Sequence, residues 1–352
     1  LGVVSDILLV IVIIILIAVF YKNILNVVQI VEDYLPGLGH SFNFNLSNTT
    51  KVQQLQNTNH SQLINYTLGL INKDREQFGL DNVTLSNETS GQQHAGNMLE
   101  NGYFSHWDIY GMKPYMRYTL LGGAGAVQEN IAYTESEERA CIGSLCTNIG
   151  SANVTSALYQ MEYNMMYNDS GCCNNGHRDN ILDPNHNQVS IGVAYNSTTI
   201  YLVEDFINNY ITWLNSTPRI SSSDQAVLEG RIGNGYNLSS IEISYDPPVV
   251  QMSESQLDQT SDYGYGTAIA GVTSNPLQYY KSLNTIVANS YYVQGADFFV
   301  SFNMDKLIVG NGPGEYTVMV WLNSTSSNSS FLGSTYTIFV NQNGTAYMPS
   351  DV

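Results

Sequence analysis

Apolar residues fall into three textures along this chain. From Ile7 to Tyr21 they run almost unbroken, extended upstream by Leu1, Val3 and Val4 and interrupted there by Gly2, Ser5 and Asp6. That run is long enough to cross a bilayer core. Ile24, Leu25, Val27, Val28, Val31 and Leu35 then continue at helical spacing until Pro36-Gly37 ends the pattern. One helix over residues 1–36, roughly 50 Å long, is predicted.

Residues 37–60 carry Asn, Ser, Thr and Gln without periodicity and read as a linker. Beyond it the pattern is mixed. Leu63, Ile64, Leu68, Ile71 and Phe78 predict a helix that Gly79 stops. Further helices are predicted over 89–101, with Ala95, Met98 and Leu99 inward and Gly102 as the stop, and over 154–168. Residues 189–194 and 199–206 read as strands joined by Tyr195-Asn196-Ser197 in a hairpin.

The third texture follows a second linker, residues 211–225, which includes Ser221-Ser222-Ser223. Short β-rich runs at 226–230, 241–245, 267–272, 285–292, 298–304, 316–322 and 335–340 are separated by turn residues. This alternation predicts a C-terminal β-sandwich, residues 226–352, similar to the immunoglobulin-like type. No internal repeat is present. The fold class expected for the whole chain is α+β.

Composition narrows the partners. Only 12% of residues are charged, yet the net charge is −18. So few Lys and Arg cannot neutralise a phosphate backbone, which excludes nucleic-acid binding. The polar surface is built instead from Asn, Ser, Thr and Tyr. Sequons for N-linked glycans occur at Asn45, Asn48, Asn59, Asn65, Asn82, Asn87, Asn153, Asn168, Asn196, Asn215, Asn237, Asn323, Asn328 and Asn343. Cys141, Cys146, Cys172 and Cys173 form a cluster of even number, which reads as two disulfides. A vicinal bridge would strain its peptide, so Cys172 and Cys173 are each expected to reach into the Cys141–Cys146 loop. A four-cysteine zinc site is the competing reading. These features point to an extracellular glycoprotein on a cell surface.

The mixed segment also carries an ordered set of short motifs. These are Phe104-Ser105-His106, Glu129-Asn130-Ile131-Ala132, Gly176-His177-Arg178 with Asn180-Ile181-Leu182, and Ile191-Gly192-Val193. The set resembles the CAP superfamily of cysteine-rich secretory, antigen 5 and pathogenesis-related proteins over residues 61–207, within a domain expected to span 61–210. The resemblance implies an α-β-α sandwich with a cleft in which His106, Glu129, Glu162 and His177 converge. Two imidazoles and two carboxylates suit a divalent metal such as Zn²⁺ or a weak acid–base pair. Gln128 departs from the glycine usual before Glu129. Arg178 and Asn180 read as structural, and His40, His60, His94 and His186 as surface or supporting residues. Ser105 adjoins His106, but neighbours on an extended segment point to opposite faces, so no nucleophile is apparent.

The N-terminal segment resembles mature type IV pilins, including archaeal ones, in which a leader is cut just before an apolar helix that packs in a filament core. A plain membrane anchor fits it equally. The expected function is display, with residues 1–35 in a membrane or in self-assembly, and adhesion or ligand capture on other cells or surface ligands. The alternative is a membrane-anchored, metal-assisted hydrolase of extracellular peptide or glycan using the CAP cleft. The composition suggests an archaeal source.

Overall fold

The computed structural model describes residues 46–135, 139–142, 145–148, 154–196, 198–214, 219–220, 225–260, 262–275, 283–327, 329–344 and 346–347. The helix expected over residues 1–36 lies outside them. Among the described residues no helix is long and apolar enough to cross a membrane. The fold is mixed α+β, and residues His60–Val352 form one compact unit.

Its first half is layered around a four-stranded sheet. Helix α1 (Leu46–Gln77) begins inside the stretch that reads as a linker. Lys51, Gln53, Gln54, Leu55 and Gln56 favour helix intrinsically, so the helix extends upstream although no apolar period marks it. Strand β1 (Thr84–Leu85) follows. Helix α2 (Ser90–Asn101) ends where predicted, with Gly102 in the left-handed region (φ 71°) returning its N–H to the Met98 carbonyl. Next come α3 (Pro114–Leu120) and β2 (Ala126–Glu135). A two-stranded ribbon, β3 (Arg139–Ile142) with β4 (Leu145–Asn148), places Cys141 opposite Cys146. Helices α4 (Val154–Tyr167), α5 (Ser170–Cys173) and α6 (Gly176–Ile181) lead to the hairpin β5 (Gln188–Tyr195) and β6 (Thr199–Asn208).

The sheet order is β1-β5-β6-β2, so β2 is an edge strand paired with β6 only. Strand alternation sends Ile200, Leu202 and Phe206 to the side of Leu63, Ile71, Leu158 and Met161, which belong to α1 and α4. Tyr201 and Val203 face Ala95 and Met98 of α2 on the other side. Helices on both faces explain why nearly every residue of β6 is buried. Gly192 meets the backbone of Gly91 so closely that any Cβ there would collide with the Gly91 carbonyl. The Ile191-Gly192-Val193 motif is thus a docking point between helix and strand.

The second half is a sandwich. One sheet has the order β12-β11-β10-β15-β16-β17 and the other β13-β14-β9-β7, with β8 also pairing β9. The strands are β7 (Ile211–Trp213), β8 (Arg219–Ile220), β9 (Gln225–Ile232), β10 (Tyr236–Asp246), β11 (Thr267–Thr273), β12 (Asn284–Val287), β13 (Ser290–Gln294), β14 (Asp297–Asn303), β15 (Gly314–Ser324), β16 (Ser330–Val340) and β17 (Ala346–Tyr347). A single core joins Leu228, Val300 and Phe302 of one sheet to Ile241, Ile243, Val318 and Val320 of the other.

Two details differ from the sequence reading. The stretch 211–225, read as a linker, supplies β7 and β8, because Ile211 and Trp213 pair with Ile232 and Gly230 of β9. The single run 285–292 is two strands. It breaks at Ala288-Asn289, so that β12 joins β11 in parallel while β13 crosses to the facing sheet. Helix α7 (Glu254–Leu257) lies in the β10–β11 connection, and α8 (Asp305–Asn311) carries the chain from β14 to β15.

Candidate functional site

The motifs meet at the edge strand β2. Glu129 and Asn130 are successive residues, so their side chains leave opposite faces of the sheet. Across the ladder, Glu129 pairs with Asp205 and Asn130 with Glu204. One polar cluster therefore forms on each face.

On the α2 face, Glu129 is buried and both its oxygens are used. His106 Nδ1 donates to Oε1 at 2.8 Å, and Arg117 donates to Oε2 at 2.7 Å. The buried Arg117 guanidinium also donates to the carbonyls of His106 and Met112, each at 2.8 Å. Burial raises the Glu129 carboxyl to about 7 against the opposing pull of Arg117. Asp205, bonded to Ser90 Oγ at 2.5 Å, is raised well above its ordinary value by burial and by Glu129. Asp205 Oδ1 faces no conventional donor, and the neighbouring Glu129 carboxyl raises Asp205 further. A proton held between the two carboxyls accounts for both facts.

The histidines on this face are neutral. His106 is lowered to about 4 by burial and by Arg117, which leaves its Nε2 as an acceptor. His94 donates from Nε2 to the Ser105 carbonyl at 2.8 Å and is pushed well below its usual range by burial. Its 3.8 Å approach to Glu129 is therefore not an ion pair.

On the opposite face, Glu162 of α4 and Glu204 of β6 are fully buried against one another. Burial raises both, and repulsion from Glu204 raises Glu162 further. Their oxygens find no ordinary donor among the hydrogen bonds of the fold. The two carboxyls act on one another, and the Asn130 amide beside Glu204 opposes the rise of Glu204. His177 is held beside this pair. Asp169 accepts its Nδ1–H at 2.7 Å and its backbone N–H at 2.9 Å, while the His177 carbonyl accepts from Asn130 at 3.1 Å.

His106 and Glu129 are thus brought into contact, and Glu162 lies close to His177 through Glu204, but the four do not converge on one point. Among the described residues, Asp169, Cys173 and His177 are the only group of three or more whose candidate ligand atoms all lie within 4.8 Å of one another. Cys173 is in a disulfide, so it has no thiolate to offer. No step through a metal is derived.

The sandwich closes over the α2 face. Tyr263, on the β10–β11 connection, accepts the Glu129 backbone N–H at 2.7 Å, and its ring centre lies 4.9 Å from that of His106. The same connection receives Phe104 N–H at Asp258, Ser105 Oγ–H at the Thr260 carbonyl and Trp107 Nε1–H at the Asp262 carbonyl. Leu257 is buried with Ala95, Met98 and Tyr103. His106 consequently keeps only 14% of its side chain exposed. His94 and His186, expected as surface or supporting residues, are both buried. The structure adds Asp169, Glu204, Asp205 and Tyr263 to the site. Glu204-Asp205 had a signal, being two acids inside an otherwise apolar strand.

Residues 68–211 match the Cysteine-rich secretory protein family, CAP. This segment of the chain is a CAP domain, and proteins of the family are usually secreted or extracellular. No curated protein matches the chain. Of the sequons, Asn65, Asn82, Asn87, Asn168, Asn196, Asn237 and Asn343 are exposed and Asn323 is half-buried. Asn45, Asn153, Asn215 and Asn328 lie outside the described residues, as do the side chains of Asn48 and Asn59.

The raised carboxyls set a pH dependence. Burial raises the Glu129 and Glu315 carboxyls from the ordinary 4.5 to about 7 in the fold. A raised folded value gives stability that is complete below pH 4.5 and is lost as pH rises through 7. His106, lowered from 6.5 to about 4, acts in the other direction, and its contribution is lost as pH falls through 4. Stability is therefore expected to peak at mildly acid pH and to fall by about 2–3 kcal/mol per raised carboxyl by pH 8. Urea titrations across this range test it. A midpoint that rises from pH 5 to 8 would show that these carboxyls are not proton-bearing. Glu315→Gln should remove its own share of the slope.

Proposed function

We propose that this protein is an extracellular, surface-displayed CAP glycoprotein that acts by binding. Its apolar N-terminal segment anchors it in a membrane or assembles it into a pilin-like filament. The joined CAP and sandwich unit is presented outward as an adhesive or ligand-binding head. The observation that carries the reading is the state of Glu129. Both its oxygens and its backbone N–H are bound, by His106, Arg117 and Tyr263, in an arrangement suited to holding a surface rigid. The Cys173 disulfide, the exposed sequons and the scarcity of charge support an extracellular setting.

Immuno-electron microscopy of the native cells tests display. Label on surface filaments or on the cell envelope is the expected result, and label confined to the cell interior would reject the proposal. Adhesion of cells carrying the full chain should exceed that of cells lacking it. Equal adhesion would remove the binding role.

A second reading, acid–base hydrolysis of an extracellular peptide or glycan, draws support from the buried Glu162–Glu204 pair beside His177, both carboxyls raised by burial. It requires turnover that Glu162→Gln abolishes. Turnover equal in the wild type and this variant excludes it.

A further inference from the structure

A buried polar chain runs from the CAP helices into the sandwich, and its donors and acceptors do not balance around a neutral histidine. Asn130 Nδ2 donates to the His177 carbonyl at 3.1 Å, and Asn180 Nδ2 donates to Asn130 Oδ1 at 2.9 Å. Asn180 Oδ1 lies 2.8 Å from His186 Nε2, and His186 Nδ1 lies 2.8 Å from Asn208 Oδ1. Asn208 Nδ2 then donates to the Leu332 carbonyl of β16 at 2.8 Å. These are five links, each needing one donor and one acceptor. The terminal carbonyls supply two acceptors, and the three amides supply three donors and three acceptors. The two donors still missing have to come from His186.

Exchanging the oxygen and nitrogen of any amide does not repair the count, because it only moves the clash to another link. A neutral imidazole brings one donor and one acceptor, and would leave two acceptors facing each other inside the protein. We propose that His186 is held as an imidazolium, and that this buried cation clasps the CAP domain to the β-sandwich through Asn208, releasing as pH rises.

The surroundings oppose and support the charge in turn. Burial, helped by the Arg75 cation of α1, which donates to the His186 carbonyl at 3.1 Å, brings His186 down to about 4 against the pull of Asp183 and Asn208. Asp183 on the same loop favours the cation, as does the bond to Asn208. The Phe206 ring of β6 stacks on the imidazole at 5.4 Å, a face that attracts positive charge. From the sandwich comes the Leu332 carbonyl, and from α6 the Asn180 amide. The two hydrogen-bond acceptors on the ring decide between these opposing effects. A cation stabilised in this way contributes fully below the ordinary value of 6.5 and is lost as pH rises through the folded value. A histidine lowered to about 4 would do the opposite.

The full chain, labelled with ¹⁵N, tests the charge directly. Ring ¹H–¹⁵N correlations of His186 at neutral pH should show both nitrogens protonated, and one protonated nitrogen would overturn the proposal. The clasp is tested by hydrogen exchange of the backbone amides around Leu332, corrected for the intrinsic rate. Protection should fall up to about tenfold per pH unit once His186 loses its proton. His186→Gln should give weak protection that is flat with pH. Protection in the wild type that does not change as the ring titrates would show the ring is charged but not a clasp. The ring measurement needs no variant, so it stands even if His186→Gln fails to fold.

Discussion

Replacing Arg117 with alanine should cost about 3–5 kcal/mol of stability, because it strands a buried carboxylate. Arg117 neutralises Glu129 across 2.7 Å and closes two backbone carbonyls, those of His106 and Met112. Without it, Glu129 and Asp205 face each other with one proton and no cation, and two carbonyls lose their donor. The transition midpoint in thermal unfolding should drop by roughly 10 °C. Arg117→Lys retains charge but not the fork of donors, so it should fall between the two. Adding Glu129→Gln to Arg117→Ala should recover part of the loss, since a neutral amide needs no counter-ion. A change under ~1 kcal/mol for Arg117→Ala would mean that the cluster is not held by its charge.

Asp246→Ala should be comparably damaging, for a reason located between the two halves. Lys113, at the start of α3, meets Asp246 Oδ1 at 2.6 Å and the Gly264 carbonyl at 2.9 Å. The Tyr115 hydroxyl, pushed up by burial and by Asp246, donates to Oδ2 at 2.6 Å. Trp107 and Tyr115 rings enclose the ammonium at 5.0 and 5.8 Å. Removing the carboxylate leaves a buried lysine with one carbonyl, again about 3–5 kcal/mol. The loss should appear as a lower unfolding midpoint and as faster hydrogen exchange around Gly264, whose carbonyl shares Lys113 with Asp246. Asp246→Asn keeps one acceptor and should lose less. Unchanged exchange around Gly264 in Asp246→Ala would show that this pair does not join the halves.

Both predictions concern contacts that the linear order hides. The helix over 90–101 and its Gly102 stop were legible because apolar spacing and a glycine cap are local properties. So was the hairpin of β5 and β6, whose turn is shaped by Asn196 accepting from Thr198 and Thr199. The start of α1 at Leu46 was not legible, because no apolar face marks its first turns. The split of 285–292 between two sheets was also hidden, since both halves are equally β-prone and only the facing sheet selects between them.

The sequence by itself marked residues 68–211 as CAP-like, placed three of their helices and the β5–β6 hairpin, and singled out His106, Glu129, Glu162 and His177, because short motifs and periodicity are written locally. Tertiary structure alone decided how those residues are used. Strand β2 turns Glu129 and Asn130 to opposite faces, so the expected tetrad becomes two carboxyl pairs, one completed by Asp205 and the other by Glu204. It also brought Arg117, Tyr263 and Asp246 from distant positions to neutralise, cover and connect. The physical reason is desolvation. A charge or donor costs little on an open chain, and its role is set only when burial makes every unpaired group expensive and leaves particular partners within reach.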